Sequence, residues 1–454
     1  MAGTFENDSK AFNDFLSETL KYEISPKIAI HDYRSDHQGR GVIASEDIEE
    51  DEVLFKIPRS SFLSVENDPD FVKQVPETKK LNSWLQLILY MMQAGSMEKW
   101  KPYFDVLPTQ LDSLMMWNDE ELDGLKGSMI VKKIGKSGAE EDYQEKLKPI
   151  IDAHPDYFKD CDTSLESFHR MGGLIMAYSF DAPDSFSDDE EDDEDIEHDD
   201  LYSEGLVKAM VPLADTLNAH TRFCNANLIA EDDGGFSMTA VKPIKKGEQV
   251  YNTYGELPNC DFLRRYGYVE NEGTEFDIVE FSMDEISDFY ASKSSKELIE
   301  EATDLLEEWQ GEYEILDEYF VVGKEGEIEF DLACFISFLE LITKDTSLLS
   351  KLKQDKSLRK QVVKQLWKKS NQGLIIDDAV KSVTDLVETK KKTYGEKSEK
   401  SHKHKMAGVV LDGELEILDN IVKRLPETTT YTADDIISKK RASDAPSGDA
   451  KRKK

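Results

Sequence analysis

Cysteine is scarce in this sequence, which has only four cysteines in 454 residues. They stand far apart at Cys161, Cys224, Cys260 and Cys334, and no two of them form a Cys-x-x-Cys pair. Structural zinc sites built on thiolates need such closely spaced ligands. The pattern therefore argues against that class of site and favours free, buried thiols in a reducing compartment.

Long apolar runs are also missing. No uninterrupted apolar stretch of the sequence reaches the length that a membrane span requires. Residues 1–8 are polar and acidic, and they lack the basic segment and the apolar stretch of a secretory signal. We therefore expect an intracellular protein without a membrane partner.

Positive charge is outnumbered in this chain. The sequence has 56 Lys and Arg against 94 Asp and Glu, which gives a formal net charge of −38. Nucleic acid backbones repel such a chain, so we expect no direct contact with nucleic acid. A basic partner such as a histone or a ribosomal protein is favoured electrostatically, although acidity can equally serve solubility alone.

The chain does contain enough apolar sequence for folded domains. Its hydrophobic content is 39%, and its length predicts about two or three domains. Alternating apolar residues between 27 and 65, and short strand patterns between 207 and 269, predict β structure. Apolar residues at spacings of three and four predict helices within 79–148, 165–180 and 283–430. The predicted fold class is α+β.

Two segments are dense in charge of one sign. At 188–200, 11 of 13 residues are Asp or Glu, and their repulsion predicts a disordered surface loop, with docking of a basic partner as the alternative. The chain ends on basic residues at 439–441 and 451–454. Their spacing suits a bipartite nuclear localisation signal, so we expect the nucleus and secondarily the cytoplasm. The alternative is an ordinary tail.

Three short motifs carry side chains suited to methyl transfer. Gly39 and Gly41 flank Arg40 in a turn, where glycine lets backbone approach a ligand closely. Asn218 offers an amide that can hydrogen-bond an adenine or an amino group. Tyr254 offers a hydroxyl, and a narrow, water-poor site around it would disfavour a charged lysine ammonium. Each motif taken alone also fits an ordinary turn or a packed strand.

The order of the motifs resembles the SET-domain lysine methyltransferases, and within them the Rubisco large-subunit methyltransferase type. The motifs that carry the resemblance are 39–41, 214–218, 247–255 and 265–268. This resemblance implies a β-rich SET core that is split by a helical insertion and followed by an all-α substrate-binding domain. The implied parts are 1–78 and 205–275 for the SET core, 79–180 for the insertion, 181–204 for an acidic disordered loop, 283–430 for the helical domain and 431–454 for a disordered basic tail.

The same resemblance implies S-adenosyl-L-methionine as the cofactor and Tyr254 as the catalytic residue. The implied cofactor-binding residues are Gly39, Arg40, Gly41, Tyr178, Asn218, Ala219, Tyr254 and Tyr266. The implied substrate-binding residues are Trp100, Ser179 and Asp181. No metal is implied, because the helical domain takes the place of the zinc-bound thiolates that close many histone methyltransferases.

The implied reaction is methylation of a protein lysine, and its most specific form is monomethylation of a lysine on a 60S ribosomal protein. The alternatives are a histidine or histone-lysine acceptor, a catalytically silent SET module, and an acidic chaperone for basic proteins. One departure from the family is Ala219, where a histidine is often found. That histidine acts largely through its backbone, so we expect the chain to retain activity. We also expect the protein to be a monomer.

Overall fold

The computed structural model describes residues 4–183 and 205–437, and these form two compact units. Of the described residues, unit 1 contains 4–125, 130–183, 205–276 and 396–410, and unit 2 contains 126–129, 277–395 and 411–437. The acidic run at 188–200 and the basic segment at 439–454 lie outside the described residues. In the described part of the chain, no helix is both long and apolar enough to cross a bilayer.

Unit 1 holds three small antiparallel sheets. Its strands are β1 (Glu23–Ile24), β2 (Ile28–Asp32), β3 (Arg40–Ala44), β4 (Val53–Ile57), β5 (Ser179–Pro183), β6 (Leu206–Met210), β7 (Ala226–Ala230), β8 (Phe236–Ala240) and β9 (Gln249–Val250). The strand orders are β1-β4-β8-β7, β2-β3-β9 and β5-β6. The strands predicted within 27–65 and 207–269 are present, because their alternating apolar residues face one core.

The helices of unit 1 fill the chain between these strands. They are α1 (Phe5–Asp14), α2 (Pro69–Gln74), α3 (Ser83–Ala94), α4 (Lys101–Phe104), α5 (Asp119–Asp123), α6 (Lys136–Asp142), α7 (Lys148–Ala153), α8 (Leu165–Tyr178) and α9 (Asn259–Asp261). Asn82 caps α3 by accepting the Leu85 amide at 2.9 Å. The apolar face of α3 then packs against α8 in the core of the unit.

The predicted helix at 165–180 ends two residues early. Ser179 leaves the helix and begins β5, in which Ser179 lies opposite Met210 and Pro183 lies opposite Leu206. Residues 181–183 therefore belong to a strand, and the predicted loop at 181–204 is wrong for them. The partner strand follows the acidic run, so local periodicity at 165–180 carries no sign of the pairing.

Unit 2 is mainly helical, with two small sheets. Its strands are β10 (Ile278–Ser282), β11 (Tyr319–Gly323), β12 (Ile375–Ile376) and β13 (Thr430–Tyr431). Its helices are α10 (Met283–Ala291), α11 (Lys296–Glu307), α12 (Gln310–Tyr313), α13 (Phe330–Lys344), α14 (Thr346–Gln354), α15 (Lys356–Ser370), α16 (Ala379–Lys391) and α18 (Ala433–Ile437). A further helix, α17 (His402–Arg424), begins in unit 1 and belongs to unit 2 from Leu411 onward. The predicted α+β class is confirmed.

Three further expectations need correction. The predicted disordered tail at 431–454 is wrong for 431–437, because Tyr431 and Ile436 are buried in the core of unit 2. The predicted helical domain at 283–430 is interrupted, since Glu396–Val410 belongs to unit 1. Two of the four thiols are buried, whereas Cys161 and Cys224 are only partly buried.

Candidate active site

Gly41 lies where side chains from three segments of unit 1 converge. A Cβ at this position would lie 2.6 Å from Gln249 Oε1 and 2.8 Å from both Asn218 Nδ2 and Tyr33 Cδ2. Only glycine permits this approach, because it has no Cβ to collide with its neighbours. The predicted glycine turn therefore lies directly beside the predicted amide of Asn218.

Asn218 and Gln249 form a pair of amides next to Gly41. Asn218 Nδ2 donates to Gln249 Oε1 at 3.1 Å, and Gln249 Nε2 donates to Gln38 Oε1 at 2.7 Å. The pairing of β3 with β9 brings Gln249 here, since it lies opposite Ile43. The sequence prediction missed Gln249, although it lies within the quoted motif at 247–255.

Arg40 directs its guanidinium away from these amides. Its Nη1 donates to the Val106 carbonyl at 3.0 Å, and its Cζ lies 4.7 Å from the ring centroid of Phe5. Burial lowers the pKa of Arg40. The side chain thus ties β3 to α1 and to the chain after α4, which leaves only the backbone of Arg40 for the predicted cofactor contact.

The segment 218–220 runs beside Asn252, which follows it by more than 30 residues in the sequence. The Asn252 amide donates to the Asn218 carbonyl at 2.9 Å, and the His220 amide donates to the Asn252 carbonyl at 3.3 Å. Ala219 and Asn252 form a parallel bridge. These backbone bonds fix the chain that follows Asn252 and so position Tyr254.

Tyr254 is held by a hydrogen bond and by ring stacking. Its hydroxyl donates to the Leu217 carbonyl at 2.9 Å, and its ring stacks on Tyr266 with centroids 4.4 Å apart. Burial of the hydroxyl raises the pKa of Tyr254 well above its usual range. The hydroxyl therefore keeps its proton at neutral pH and acts as a hydrogen-bond donor.

Tyr268 adds a third phenol beside Tyr254 and Tyr266, and we call these three rings the aromatic wall. Its ring lies 6.4 Å from Tyr254 in an edge-on arrangement. Its buried hydroxyl has no hydrogen-bond partner among the described residues. Gly267 permits the tight turn between Tyr266 and Tyr268, because its φ is +74° and a Cβ there would lie 2.5 Å from the Asp112 carbonyl carbon.

Asp215 is a buried acid close to the same wall. Its carboxyl accepts a 2.5 Å hydrogen bond from the Tyr103 hydroxyl, and burial raises its pKa to about 7. Tyr178 lies within electrostatic reach of Asp215, and burial raises the pKa of Tyr178 to about 12. The sequence analysis gave Asp215 no role, although an acid inside an otherwise apolar stretch was a usable signal.

The backbone before Asp215 is strained. Leu213 has φ 73° and ψ −44°, which a residue with a side chain rarely adopts. Such a conformation costs of the order of 1–3 kcal/mol and persists only where surrounding contacts enforce it. The turn Ala214–Thr216 follows directly, so the hydrogen bond from Tyr103 holds a strained segment in place.

The three predicted substrate-side residues fall in different surroundings. Trp100 is only 3% exposed, because its ring packs edge-on against Phe15 and Tyr103 in the core. Its predicted place on the substrate side stays a prediction. Ser179 is partly buried at the start of β5. The exposed Asp181 pairs with Lys208 at 2.7 Å and lies within electrostatic reach of Tyr266.

Ala219 enters the site through its backbone, as the bridge to Asn252 shows. The histidine one position later points elsewhere, since His220 Nδ1 lies 3.5 Å from the buried Glu270 carboxylate and its ring packs on Phe223. A side chain at 219 is not needed for these backbone bonds. The departure at Ala219 therefore leaves the local framework intact.

Comparison with known proteins assigns this geometry to a family. The SET domain model matches residues 39–255. Ribosomal lysine N-methyltransferase 4 of Saccharomyces cerevisiae is 37% identical over 74% of this chain and 72% of the relative, and the protein of that name in Schizosaccharomyces pombe is 28% identical over 91% and 95%. N-lysine methyltransferase setd6 of Danio rerio is 32% identical over 73% and 71%.

Solved structures share the fold. Rubisco LSMT bound to sinefungin and monomethyllysine superposes with a TM-score of 0.67 at 20% identity, covering 93% of this chain and 94% of that one. The SET domain of LSMT bound to lysine and AdoHcy gives 0.66 at 19% identity, covering 94% and 92%. The resemblance predicted from the motifs is confirmed, while the roles of individual residues stay predictions.

Proposed function

The chain belongs to the SET-domain family of protein-lysine methyltransferases, and from that premise we propose that it moves one methyl group from S-adenosyl-L-methionine to a lysine of a 60S ribosomal protein. The observation that carries the proposal is the hydrogen bond from the Tyr254 hydroxyl to the Leu217 carbonyl. It holds a protonated phenol against the residue before Asn218, whose amide lies beside Gly41.

The residues around Gly41 fit this cofactor. The Asn218 and Gln249 amides can meet its adenine or amino group, and the missing Cβ at Gly41 lets these two amides lie close to the β3 backbone. Tyr178 and Tyr266 would supply apolar ring surface with buried hydroxyls. When bound, the cofactor supplies an electrophilic methyl group on a positively charged sulfur.

The protein's own contribution is to orient the acceptor and keep water out. A lysine amine must be neutral to attack, and its ordinary pKa is about 10.4. Burial beside Tyr254, Tyr266 and Tyr268 disfavours the charged ammonium and so lowers that pKa. The Tyr254 hydroxyl stays protonated and cannot serve as the base, so its role is to fix the reacting groups in line.

Tyr268 supports a single methyl transfer. Its unpartnered, buried hydroxyl lies beside Tyr254, where it can hydrogen-bond the acceptor amine. Once it carries a methyl group and has lost a proton, an amine held in this way would have less freedom to turn its lone pair towards the cofactor again. This argument favours a monomethylated product.

The ribosomal acceptor is supported by charge and by the relatives. A net charge of −38 suits a basic protein substrate, and the two fungal relatives are named ribosomal lysine methyltransferases. Mass spectrometry of ribosomal proteins from cells lacking this chain should show the loss of one methyl group on one lysine. An unchanged methylation pattern would contradict the ribosomal substrate.

The enzymatic part of the proposal is tested with purified protein. Tyr254→Phe should lower transfer from labelled S-adenosylmethionine to that ribosomal protein by roughly 100-fold or more, because it removes the hydroxyl that orients the reacting groups. Binding of S-adenosylhomocysteine should remain nearly intact. Tyr157→Phe, at a partly buried tyrosine packed on Phe71, is the matched control.

We also propose that the protein works in the nucleus. The support is the basic sequence at 439–454, which lies outside the described residues. Deletion of 439–454 should move a tagged protein out of the nucleus. An unchanged nuclear signal would show that this segment is an ordinary tail.

A further inference from the structure

Helix α15 has a charge that is opposite to that of the chain. It contains six basic residues and no acidic residue, whereas acids outnumber bases by 94 to 56 in the whole sequence. Lys356, Lys360 and Lys364 recur at a spacing of four, so they follow one side of the helix. All three are exposed. Together with Trp309 they define what we call the basic face.

An open cavity lies along the basic face. Its volume is about 620 Å³, and its lining includes all three lysines and Trp309. The row from Lys356 to Lys364 extends over about 12 Å of helix. A row of this length suits a ligand with repeated negative groups better than a single carboxylate.

Two of the three lysines on the basic face are free to bind a ligand, and Lys360 pairs with Glu312 at 3.7 Å. Neither Lys356 nor Lys364 has an ion-pair partner among the described residues. The indole Nε1 of Trp309 is buried and has no acceptor in the described part of the chain. Lys360 Nζ lies 5.5 Å from the Trp309 ring centroid. Three lysines therefore line one cavity, and two of them have no ion-pair partner among the described residues.

The acidic groups nearby are largely neutralised. Arg359 is 5% exposed and binds the Glu308 carboxylate as well as the Leu352 carbonyl. Glu312 lies 3.7 Å from Lys360. Arg359 is thus a structural residue, and the exposed lysines keep a local excess of positive charge.

We propose that the basic face binds the phosphate backbone of RNA carried with the ribosomal substrate. Lysine is a common phosphate ligand. The choice of RNA rests on the proposed function, since a ribosomal protein is surrounded by RNA phosphates. The binding itself rests only on the cavity and its lysines.

The chain's overall acidity does not prevent such a contact. At physiological salt, exposed charges more than about 8 Å apart are largely screened, so a phosphate on this face would sense mainly the nearby lysines. The expected salt dependence follows from counterion release, about 0.7 in the slope of log K against log salt for each phosphate neutralised on a single strand. Three lysines should therefore account for about 2.

The test is binding of a labelled single-stranded RNA by the full chain, measured by fluorescence anisotropy over a range of salt. Lys356→Gln, Lys360→Gln and Lys364→Gln combined should weaken binding at least tenfold and reduce the salt slope by about 2. The control combines Lys73→Gln, Lys148→Gln and Lys296→Gln at exposed lysines elsewhere. It should leave binding within twofold.

Two outcomes would overturn the inference. One is equal RNA binding by the basic-face variant and the control variant. The other is binding of polyglutamate as tightly as RNA with the same loss in the basic-face variant, which would assign the face to an acidic protein segment.

Methylation of the free ribosomal protein separates this inference from the proposed function. The basic-face variant should methylate the free protein at the wild-type rate and lose activity only on the protein–RNA complex. A wild-type enzyme that binds RNA but does not methylate a ribosomal protein would defeat the proposed function and leave the RNA site standing.

Discussion

The Tyr103 hydroxyl donates a 2.5 Å hydrogen bond to the Asp215 carboxyl across 112 residues of sequence. Asp215 lies in the turn Ala214–Thr216, and the next residue is Leu217, whose carbonyl accepts the Tyr254 hydroxyl. The hydrogen bond between Tyr103 and Asp215 thus supports the short segment 215–217, and the carbonyl of Leu217 in turn holds the hydroxyl of Tyr254, the predicted catalytic residue. Tyr103 and Asp215 are positioning residues in this arrangement.

Tyr103→Phe should impair both stability and turnover. It leaves a buried carboxyl with one weak remaining side-chain donor, Thr216 at 3.4 Å, so we expect a loss of about 1–3 kcal/mol in the free energy of unfolding. We also expect kcat to fall several-fold with little change in KM. Urea denaturation and steady-state kinetics provide the measurements.

The control for Tyr103→Phe is a second buried tyrosine of unit 1. Tyr143 donates to the Thr163 carbonyl at 2.7 Å, and Tyr143→Phe should lower stability without lowering kcat. Equal kcat losses in the two variants would show that Tyr103 acts only through general stability.

Asp215→Asn should change the pH dependence of stability. The carboxyl of Asp215 has a pKa of about 7 in the folded chain because of burial, against about 3.9 when unfolded. Its contribution to stability is therefore full below about pH 4 and is lost as pH rises through 7. The asparagine variant lacks this loss, so its stability relative to the wild type should increase from pH 4 to pH 8.

Urea denaturation of both proteins across that pH range measures this difference, and titrations common to both proteins cancel. Parallel stability curves would mean that Asp215 is ionised in the folded chain at all these pH values.

Gly41→Ala should weaken cofactor binding while the chain still folds. The new Cβ would meet Gln249 Oε1 at 2.6 Å and Asn218 Nδ2 at 2.8 Å, so the paired amides must separate. Binding of S-adenosylhomocysteine, measured by calorimetry, should weaken at least tenfold. Gly138→Ala in α6 is the control, because no heavy atom lies within 4 Å of its Cβ. Wild-type affinity in Gly41→Ala would remove these amides from the cofactor site.

Tyr268→Phe should change the product. It removes the unpartnered hydroxyl and keeps the ring packed on Phe262, so the acceptor amine gains freedom to turn after the first transfer. We expect dimethylated substrate in intact-mass spectra after long incubation, where the wild type stops at one methyl group. A product that stays monomethylated would move the control of methylation to another residue.

Sequence patterns predicted the strands and helices that depend on residues close together in the chain. Alternation and glycine turns located β2 and β3, and spacing located α3, because each depends on neighbours along the chain. Trp100 was placed on the substrate side by the family resemblance alone, and its packing against Phe15, from a distant segment, could not be predicted from local pattern. The role of Asp215 was missed for the same reason, since its partner Tyr103 comes from another part of the chain.

The assignment of Glu396–Val410 to unit 1 has a consequence for synthesis of the chain. Within that segment, His402 stacks on His37 and Lys403 pairs with Glu121. Unit 1 cannot complete these contacts until the ribosome has made Asp277–Gly395, the longest part of unit 2. Folding during synthesis normally proceeds from the N-terminus. Unit 1, however, stays incomplete until its last segment, Glu396–Val410, has left the ribosome, and until then it is open to chaperones and proteases.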